Sequence, residues 1–522
     1  MEEALVLGID ASTTACKAVV WDTSGRAVAE GRAPLSLLKP RPLWHEQPAG
    51  AWWDALVAAI RAAIADRPDL TPRIAGLCIA PQRETFVPVD RAGTPLRHAI
   101  LWMDERAGDL LPRIAAEYGA DRIHAETGKP LSGNLALPKI AWLREHEPET
   151  FALTAKFLDV AAFLIHRLTG EYRSGWGCVD PMGLFDMQHD AWDSSLLTYL
   201  GVTIDQVPEA HPPGAVVGTL TSAAAAACGL IAGLPVIAGV GDGQAGGLGA
   251  GIVGPGQAYL NLGTAVITGT MASHPVTDRT FRTMYGGVPG TYSLETALLG
   301  GTYTVTWFTE TFMGARGDES STLLERFDAS LDRTPAGAEG LLLVPYWNSV
   351  MNPYWDAAAS GIVVGWRGIH TAEHVYRAIL EGIAFELRLH AEGVAAALQR
   401  AVMRYTAMGG GARSTHWRQI IADVTGVPVE ASAVREAAAL GAGMLAAAGV
   451  GLFASVREAA EAMGSRGARE QRGEGAEELE AVTVPDGGRY ARYTALYEDV
   501  YRGLFPALQP GLDRLTALTA EG

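Results

Sequence analysis

This chain of 522 residues lacks the marks of several protein classes. Its four cysteines lie far apart and form no CxxC pair, so we expect neither a dense disulfide framework nor a cysteine-based zinc site. Lysine and arginine number 41 against 58 for aspartate and glutamate, and the formal net charge of −17 argues against a nucleic-acid partner. Only 19% of the residues are charged, whereas 48% are apolar. This length and composition predict two to four domains, or two large ones, with sizeable cores.

Short motifs of metalloenzymes, hydrolases and P-loop enzymes are also missing. The 12 histidines form no HxxH or HExxH pair, no GxSxG motif stands on a strand-to-helix turn, and no Walker segment is present. The first residues lack the basic start and apolar stretch of a signal peptide, so we expect a cytoplasmic location and reduced thiols. Residues 210–241 carry no Asp, Glu, Lys or Arg, but prolines interrupt them, which favours a buried core over a membrane span.

Strand-like and helix-like segments alternate in the N-terminal part of the chain. Apolar runs at 5–9 and 18–21 predict two strands on either side of a small polar turn at 10–14. Apolar residues then recur at spacings of three and four between Trp53 and Ile64, which predicts a helix. This alternation indicates an α/β architecture.

The middle of the chain repeats the pattern of the first hairpin. Apolar runs at 258–262 and 265–268 predict two strands separated by a Gly-Thr turn. The repetition indicates two related halves that meet near the glycine-rich stretch 245–256, whose composition fits a hinge or tight helix packing. Further on, the charged and glycine-containing stretch 464–480 is typical of a surface loop or linker.

The polar turn at 10–14 has the composition of a phosphate-binding hairpin. A tight turn of small residues points several backbone N–H groups in one direction, and such a concavity binds phosphate oxygens. The hydroxyl of Thr14 adds a donor, Lys17 adds positive charge, and Asp10 suits a magnesium ion or its water shell. An ordinary hairpin with a polar turn is the alternative interpretation.

Asp242 follows a strand-like run without any charge and stands between two glycines. A carboxylate in such a place is costly to desolvate unless it is paired or used. The flanking Gly241 and Gly243 let a substrate come close. A hydroxyl that attacks the γ-phosphate of ATP needs an acceptor for its proton, and a carboxylate here suits that task. The alternative is an aspartate that caps the N-terminus of a helix.

These features follow one another as in the FGGY family of sugar and polyol kinases, which the chain resembles over roughly residues 4–455. The matching segments are 8–14 with Lys17, 82–85, 100–104, 138–143, 241–245, 262–264, 361–381 and 409–413. Three residues depart from the usual choices of the family, namely Asn134, Ala136 and Trp366. The number of ordered matches identifies the chain as a member of this family.

The resemblance implies an α/β fold of two actin-like ATPase domains, each built on a ribonuclease-H-like core, with ATP and substrate in the cleft between them. The N-terminal domain would span residues 1–246 and hold the substrate and the first phosphate hairpin. The C-terminal domain would span residues 247–522 and bind ATP. The implied cofactors are ATP and Mg²⁺. The implied partner is a small sugar or polyol; neither nucleic acid nor a membrane is expected, and a homodimer is an assembly that the resemblance allows.

The resemblance also assigns a role to each candidate residue. Asp242 is the implied catalytic base and, with Asp10, an implied magnesium ligand. The implied nucleotide-binding residues are Ser12, Thr13, Thr14, Lys17, Gly263, Thr264, Gly410, Gly411 and Thr415. The implied substrate-binding residues are Gln82, Arg83, Glu84, Trp102, Asp104, Asn134, Asp242 and Gln244.

The predicted substrate pocket combines features of two subfamilies. The segment 82–85 resembles glycerol kinases, whereas 44–53, 100–106 and 409–418 resemble xylulokinases. Asn134 replaces a tyrosine of the glycerol kinases, and a shorter amide makes room for a longer ligand and adds hydrogen-bonding capacity. We expect a ketopentose such as D-xylulose as the substrate, with a polyol of the glycerol or erythritol type as the alternative.

Two other classes of protein share this fold. A non-catalytic sugar or nucleotide sensor would have no need to combine Asp10, Thr14 and Asp242. An actin-like or chaperone-type ATPase would have no evident use for the polar and aromatic cluster at Gln82–Glu84 and Trp102. Both alternatives are therefore disfavoured, and a coupled assay for ADP release separates all three.

Overall fold

A computed structural model describes residues 4–347, 349–464 and 482–520. The predicted loop at 464–480 therefore lies, beyond Gly464, outside the described residues. Two six-stranded sheets dominate the fold, one in each half of the sequence. In chain order the strands are β1 Leu5–Ala11, β2 Ala15–Trp21, β3 Ala27–Pro34, β4 Glu46–Gln47, β5 Ile74–Pro81, β6 Phe86–Val89, β7 Ala99–Ile100, β8 Lys156–Asp159, β9 Arg173–Gly175, β10 Phe185–Asp186, β11 Ala191–Trp192, β12 Glu209–His211, β13 Val216–Thr219, β14 Pro235–Ile237, β15 Gln257–Leu262, β16 Val266–Ala272, β17 Arg282–Tyr285, β18 Tyr292–Leu298, β19 Leu342–Val344, β20 Ile362–Val364, β21 Arg404–Met408 and β22 Val429–Ala431.

Helices connect the strands and pack on the sheets. In chain order they are α1 Ala49–Ile64, α2 Leu111–Ile114, α3 Ala120–Thr127, α4 Ala136–His146, α5 Pro148–Leu153, α6 Val160–Thr169, α7 Trp176–Val179, α8 Ser194–Leu200, α9 Ser222–Cys228, α10 Asp242–Gly249, α11 Thr302–Thr306, α12 Asp318–Ser330, α13 Ala372–Leu398, α14 Thr415–Thr425, α15 Ala437–Gly449, α16 Val456–Met463, α17 Gly487–Leu496 and α18 Arg502–Ala520.

The two large sheets share one topology. The first has the strand order β13-β14-β5-β1-β2-β3, in which β1 pairs antiparallel with β2 and parallel with β5. The second has the order β17-β18-β16-β15-β21-β22, in which β15 pairs antiparallel with β16 and parallel with β21. The run β3-β2-β1-β5-β14 thus recurs as β18-β16-β15-β21-β22. The predicted α/β fold of two related halves is confirmed.

Separate apolar cores stabilise the two halves. In the first half, Leu56 and Ile60 of α1 are fully buried in the core that includes β1 and β5. In the second half, Ile383 of α13 and Ile421 of α14 are fully buried in the core that includes β15 and β21. Because each sheet buries apolar side chains under its own helices, each half has the layered build of an α/β domain.

The uncharged stretch 210–241 forms several short elements, including β13, α9 and β14. Thr221 caps α9, since its hydroxyl accepts a hydrogen bond from the Ala224 backbone N–H at 3.2 Å. β14 lies beside β5 within the first sheet. Across the described residues, no helix combines the length and the apolar character that a membrane span requires.

Helices α10 and α15 pack against each other where the halves meet. A Cβ atom at Gly441 of α15 would lie 2.0 Å from the Ala245 carbonyl oxygen, and one at Gly249 of α10 would lie 1.9 Å from the Ala437 carbonyl oxygen. Each helix therefore needs glycine at the crossing, because any larger residue would meet backbone. The glycine-rich stretch predicted as a hinge or tight helix contact is the tight contact, and α10 brings Asp242 to the junction.

Candidate active site

The turn between β1 and β2 presents one hydroxyl outward and turns another into the pocket wall. Ser12 closes the turn, since its backbone N–H and its hydroxyl both donate to the Ala15 carbonyl at 3.0 and 2.8 Å. Thr14 is exposed. Thr13 instead donates to Gln82 Oε1 at 3.2 Å and accepts from Trp102 Nε1 at 3.0 Å. The predicted phosphate hairpin is thus tied to the predicted sugar pocket through Thr13.

Asp10 and Lys17 face each other in the register of β1 and β2. Burial, and then the nearby Asp242 carboxylate, raise the pKa of Asp10 to about 7. The buried Oδ1 of Asp10 has no hydrogen-bond partner in the described protein. Lys17 Nζ pairs with Glu436 Oε2 at 2.5 Å, and Glu436 immediately precedes α15. The unpaired Oδ1 of Asp10 and the partly exposed ammonium of Lys17 therefore both lie beside the turn that is predicted to bind phosphate.

The second hairpin presents a matching turn in the other half. Its turn is fixed from α11, since the Thr302 N–H donates to the Gly263 carbonyl at 3.0 Å and the Tyr303 N–H to the Thr264 carbonyl at 3.1 Å. Thr264 itself is exposed. The two predicted phosphate turns therefore occupy equivalent positions in the two sheets, between β1 and β2 and between β15 and β16.

The predicted adenosine loop follows β21. Gly409 has φ +86°, and a Cβ there would lie 2.7 Å from Asn261 Oδ1, so glycine is required by both conformation and space. Gly410 is exposed, and a Cβ atom at Gly411 would lie 2.3 Å from the Trp417 ring. Ser414 caps α14 by accepting from the Trp417 N–H at 3.1 Å, and Thr415 begins the helix with its side chain exposed.

Asp242 is the first residue of α10, and Gly241 is its N-cap, so the alternative of a capping aspartate does not apply. Asp242 Oδ1 accepts from the Gly243 N–H at 2.8 Å and forms an ion pair with Arg83, whose Nε lies 3.0 Å away. The side chain remains 35% exposed. Burial raises the pKa of Asp242, Arg83 opposes that rise, and Glu295 adds to it. Both contacts are made by Oδ1, and neither involves Oδ2.

A buried ionic cluster links the candidate base to the second half of the chain. Arg83 Nη1 donates to Glu295 Oε2 at 2.8 Å, and Arg282 Nη2 donates to Glu295 Oε1 at 2.6 Å. Arg282 also pairs with Glu84, whose backbone has φ +55°. Tyr259 donates its hydroxyl to Glu295 Oε2 at 2.9 Å. Two predicted substrate residues, Arg83 and Glu84, are therefore held in place by partners on β15, β17 and β18.

The pocket wall next to the first hairpin is held by a lysine. Lys139 is fully buried, and its ammonium donates to the carbonyls of Leu101, Trp102 and Asn134 at 2.7, 2.9 and 2.8 Å. Asn134 Nδ2 also donates to the Trp102 carbonyl at 3.3 Å. The structure thus brings together Trp102 and Asn134, which sequence reasoning assigned to the substrate.

Asp104 and Gln244 mainly make contacts within the protein. Asp104 is fully buried; its Oδ1 accepts from Arg106 Nε at 2.8 Å, and its Oδ2 accepts from the His45 N–H at 2.6 Å and Arg106 Nη2 at 2.7 Å. Gln244 Nε2 donates to the Gly177 carbonyl at 3.1 Å. Both carboxylate oxygens of Asp104 are therefore occupied by protein donors, and this residue supports the loop that carries Trp102.

Sequence reasoning missed four residues of this site: Lys139, Tyr259, Arg282 and Glu295. Lys139 lies in the segment 138–143 that carried part of the family resemblance, so a signal for it existed. The other three lie on strands whose apolar pattern predicts β structure, and nothing local distinguishes their polar side chains from solvated ones.

The residues present fit a magnesium ion. Mg²⁺ is usually held by one or two carboxylates together with substrate phosphates and water. Asp10 offers a buried oxygen without a partner, and the charge of Asp242 is close enough to raise the pKa of Asp10. The described part of the chain has no group of three or more metal-ligating side chains. This donor set suits an ion that shares its ligands with a nucleotide, rather than a closed structural site.

Models of one protein family match most of the chain. The model of the N-terminal domain of the FGGY family of carbohydrate kinases matches residues 5–249, and that of the C-terminal domain matches residues 258–450.

Individual relatives and solved structures agree with this match. A xylulose kinase of Bacillus subtilis is 30% identical over 461 residues, covering 87% of this chain and 90% of the relative. Glycerol kinase 2 of Streptomyces avermitilis is 30% identical over 473 residues, with the same two coverages. The crystal structure of a xylulose kinase from Rhodospirillum rubrum shares 28% identity at a TM-score of 0.86, covering 98% of this chain and 100% of the other.

Proposed function

Since the chain belongs to the FGGY family of carbohydrate kinases and has its actin-like fold of two domains, we propose that it transfers the γ-phosphate of ATP to a ketopentose such as D-xylulose. The observation that carries the proposal is the position of Asp242. Its carboxylate is anchored by Arg83, keeps 35% of the side chain exposed, and lies near enough to Asp10 of the first phosphate turn for the two charges to interact. We place the domain boundary between residues 246 and 247, within α10.

In this proposal the two hairpins hold the nucleotide. Ser12, Thr14 and Lys17 contribute from the first turn, with Thr13 bracing that turn against the pocket. From the second half, Gly263 and Thr264 face the phosphates, and Gly410, Gly411 and Thr415 face the adenosine. Asp10 and Asp242 would hold Mg²⁺, which neutralises phosphate charge when it is bound.

Asp242 would act as the general base toward the sugar. One hydroxyl of the sugar would donate to Oδ2 and give up its proton to it as the sugar oxygen bonds to the γ-phosphorus. The bond between the γ-phosphorus and the bridging oxygen of the β-phosphate would break in the same transfer, and ADP would leave. Trp102 offers an aromatic face for the C–H groups of the sugar, and Gln82, Arg83, Glu84, Asn134 and Gln244 offer donors and acceptors for its hydroxyls. Exclusion of water from the cleft would favour transfer to the sugar over hydrolysis of ATP.

The charges around Asp242 support a neutral substrate over a sugar acid. The guanidinium of Arg83 is already paired with Asp242 and Glu295, and that of Arg282 with Glu84 and Glu295. The carboxylates of this cluster outnumber its guanidiniums, so a substrate carboxylate would be repelled. Xylulose kinases of several bacteria are among the relatives, which supports the ketopentose.

A polyol of the glycerol or erythritol type is the second candidate. The pair Arg83 and Glu84, which carries the resemblance to glycerol kinases, is buried directly beside Asp242. A coupled assay of ADP release with D-xylulose, erythritol, glycerol and gluconate tests the proposal. We expect the highest kcat/KM with D-xylulose and none above background with gluconate; the highest value with a polyol would favour the second candidate.

The replacement Asp242→Asn tests the base. The amide keeps the size of the side chain but accepts no proton, so we expect kcat to fall by at least about 100-fold while ATP binding by calorimetry is retained. Asp193→Asn is the matched control, because Asp193 stands at the start of α8, where it accepts from the backbone N–H groups of Ser195 and Leu196. Turnover of Asp242→Asn equal to that of the control would remove Asp242 from the role of base.

A further inference from the structure

We propose that Glu295, a residue of the second half of the chain, is a positioning residue for Asp242 and acts on it through Arg83. The inference rests on the proposed role of Asp242 as the general base. Its basis is a chain of contacts that starts at the fully buried carboxylate of Glu295, passes through the guanidinium of Arg83 and ends at Oδ1 of Asp242.

Glu295 is held rigidly on β18. Its Oε1 accepts from Arg282 Nε and Nη2 at 2.9 and 2.6 Å, and its Oε2 accepts from Arg83 Nη1 at 2.8 Å and from the Tyr259 hydroxyl at 2.9 Å. The residue has no exposed surface. A carboxylate with donors on both oxygens has one orientation, so it gives Arg83 a fixed anchor.

Arg83 transmits this anchor to Asp242. While Nη1 donates to Glu295, Nε lies 3.0 Å from Asp242 Oδ1 in an ion pair. Because the guanidinium is planar and rigid, a fixed Nη1 also limits where Nε can lie, and so fixes the position of the positive charge beside Asp242. The Gly243 N–H binds the same Oδ1 at 2.8 Å. Both contacts engage Oδ1 of Asp242, so they restrict the orientation of the carboxylate without occupying Oδ2.

Without Glu295, the guanidinium of Arg83 would lose its strongest partner apart from Asp242. The other groups within reach of Nη1 are Met284 Sδ at 3.2 Å and Gln244 Oε1 at 3.5 Å, and neither carries a charge. The buried guanidinium of Arg83, left without Glu295, would turn its N–H groups toward the carboxylate of Asp242. The base would then be tilted and its free oxygen drawn into an ion pair.

The contacts join the two halves of the fold. Arg83 and Asp242 belong to the first half, whereas Tyr259, Arg282 and Glu295 belong to the second. The geometry of the base is therefore set by the contact between halves. Through Glu295, the orientation of Asp242 depends on the contact between the two halves of the chain.

The variant Glu295→Gln tests the proposal in the full-length enzyme with its best sugar. The amide retains the size of the side chain but offers one acceptor oxygen in place of two. We expect kcat to fall about 10- to 100-fold, with KM for ATP within about twofold of the unsubstituted enzyme, because Glu295 is fully buried and is not among the residues proposed to hold the nucleotide. A fall in thermal stability without a change in kcat would overturn the proposal.

Glu381→Gln is the matched control. Glu381 is also a buried glutamate held by an arginine and a tyrosine, accepting from Arg377 Nε and the Tyr493 hydroxyl at 2.6 Å each. It lies on α13, outside the candidate active site. We expect this variant to lose stability and keep kcat. An equal fall in kcat in both variants would show that Glu295 acts through general stability, and would overturn the proposal.

A double-variant cycle shows whether Glu295 acts through Asp242. We expect Glu295→Gln to change residual turnover less than about twofold when Asp242 is already Asn, because there is then no base to position. Independent, multiplicative losses would overturn the proposal. If Asp242→Asn alone leaves turnover unchanged, the proposed base is wrong. If it abolishes turnover but Glu295→Gln does not change kcat, only the present inference is wrong.

A milder variant covers the case in which Glu295→Gln does not fold. Tyr259→Phe removes one donor from Glu295 Oε2 and keeps every charge. The carboxylate is then less constrained, so we expect a loss of kcat of a few-fold with unchanged KM for ATP. An unchanged kcat in a folded Tyr259→Phe enzyme would contradict the proposal.

Discussion

At the residue scale, the glycines on either side of Asp242 make room for protein side chains. A Cβ atom at Gly243 would lie 2.8 Å from Glu295 Oε2 and 3.1 Å from Arg83 Nη2. One at Gly241 would lie 2.4 Å from Arg83 Cγ. These glycines therefore let the buried ionic cluster approach the backbone at the start of α10. That they also let a substrate come close stays a prediction.

The variant Gly243→Ala should lower kcat by about 10-fold or more. The added methyl group would push Glu295 and Arg83 away from Asp242, and small displacements of a catalytic group are costly for the rate. Steady-state kinetics with the best sugar would measure the effect.

Gly246→Ala on the same helix is its control, because a Cβ atom there has no heavy atom within 4 Å. We expect that variant to retain kcat. Equal kinetics for the two variants would show that the space beside Gly243 is unimportant.

Candidates for the site could be named from the sequence where the signal is local. Asp10, Thr14 and Asp242 stand in turns and at strand ends whose composition suits phosphate and proton chemistry, and their roles stay predictions. Lys139 and Glu295 were missed, because the feature that makes each important is a set of partners remote in sequence. Glu295 is 212 positions from Arg83, and no spacing rule spans such a distance.

At the element scale, the long helix α13 carries a buried glutamate that two tyrosines surround. Glu386 accepts from the Tyr346 hydroxyl at 2.9 Å and from the Tyr501 hydroxyl at 2.7 Å. No cation pairs with it in these contacts, and burial raises the pKa of Glu386 from 4.5 to about 7. Glu386, which titrates near neutrality, therefore connects α13 to Tyr346 and to Tyr501, the residue just before α18.

The stability of the enzyme should depend on pH through this group. A carboxyl group whose folded pKa exceeds its unfolded value contributes stability in full below pH 4.5, and this contribution is lost as the pH rises through about 7. Glu386→Gln cannot ionise, so at pH 8 we expect it to be more stable than the unsubstituted enzyme by about 3 kcal/mol.

Urea unfolding at pH 4.5 and pH 8 would measure the difference between the two proteins. It should be small at pH 4.5 and large at pH 8. A difference that is the same at both values would contradict the prediction.

Helices and strands were predicted best where their periodic face is wide. The apolar spacing between Trp53 and Ile64 predicted the body of α1. β14 is shorter than the apolar run that contains it and ends at Ile237. Residues beyond it pass the junction, where a Cβ at Gly239 would lie 2.0 Å from the Ile79 carbonyl oxygen, and pairing there is decided by neighbours distant in sequence.

At the scale of the whole molecule, the crossing of α10 and α15 joins the two sheets into one protein. α15 packs on β1 as well as on α10, and a Cβ atom at Gly8 of β1 would lie 1.9 Å from the Ala439 carbonyl oxygen. The helix that follows the last strand of the second sheet thus covers a strand of the first. The stability of each half therefore depends on the same helix contact.

The variant Gly441→Ala should lower the free energy of unfolding by about 3 kcal/mol, because its methyl group would meet the Ala245 carbonyl oxygen at 2.0 Å. Chemical denaturation followed by circular dichroism would measure it. Gly503→Ala is the control, since that glycine lies in α18 with no heavy atom within 4 Å of a Cβ. A loss no larger than that of the control would show that the helices can separate without cost.

The sequence by itself determined the local structure and the family to which the protein belongs. Hairpins, amphipathic helices and short polar turns depend on residues within a few positions of one another, and the family motifs lie in those turns. Only the tertiary structure decided which charged side chains meet across the halves, and hence how Asp242 is held. Arg282 and Glu295 are cross-strand neighbours on β17 and β18, whereas Arg83 reaches Glu295 from the other half of the chain. Electrostatic contacts depend on distance in space, which a linear pattern does not encode.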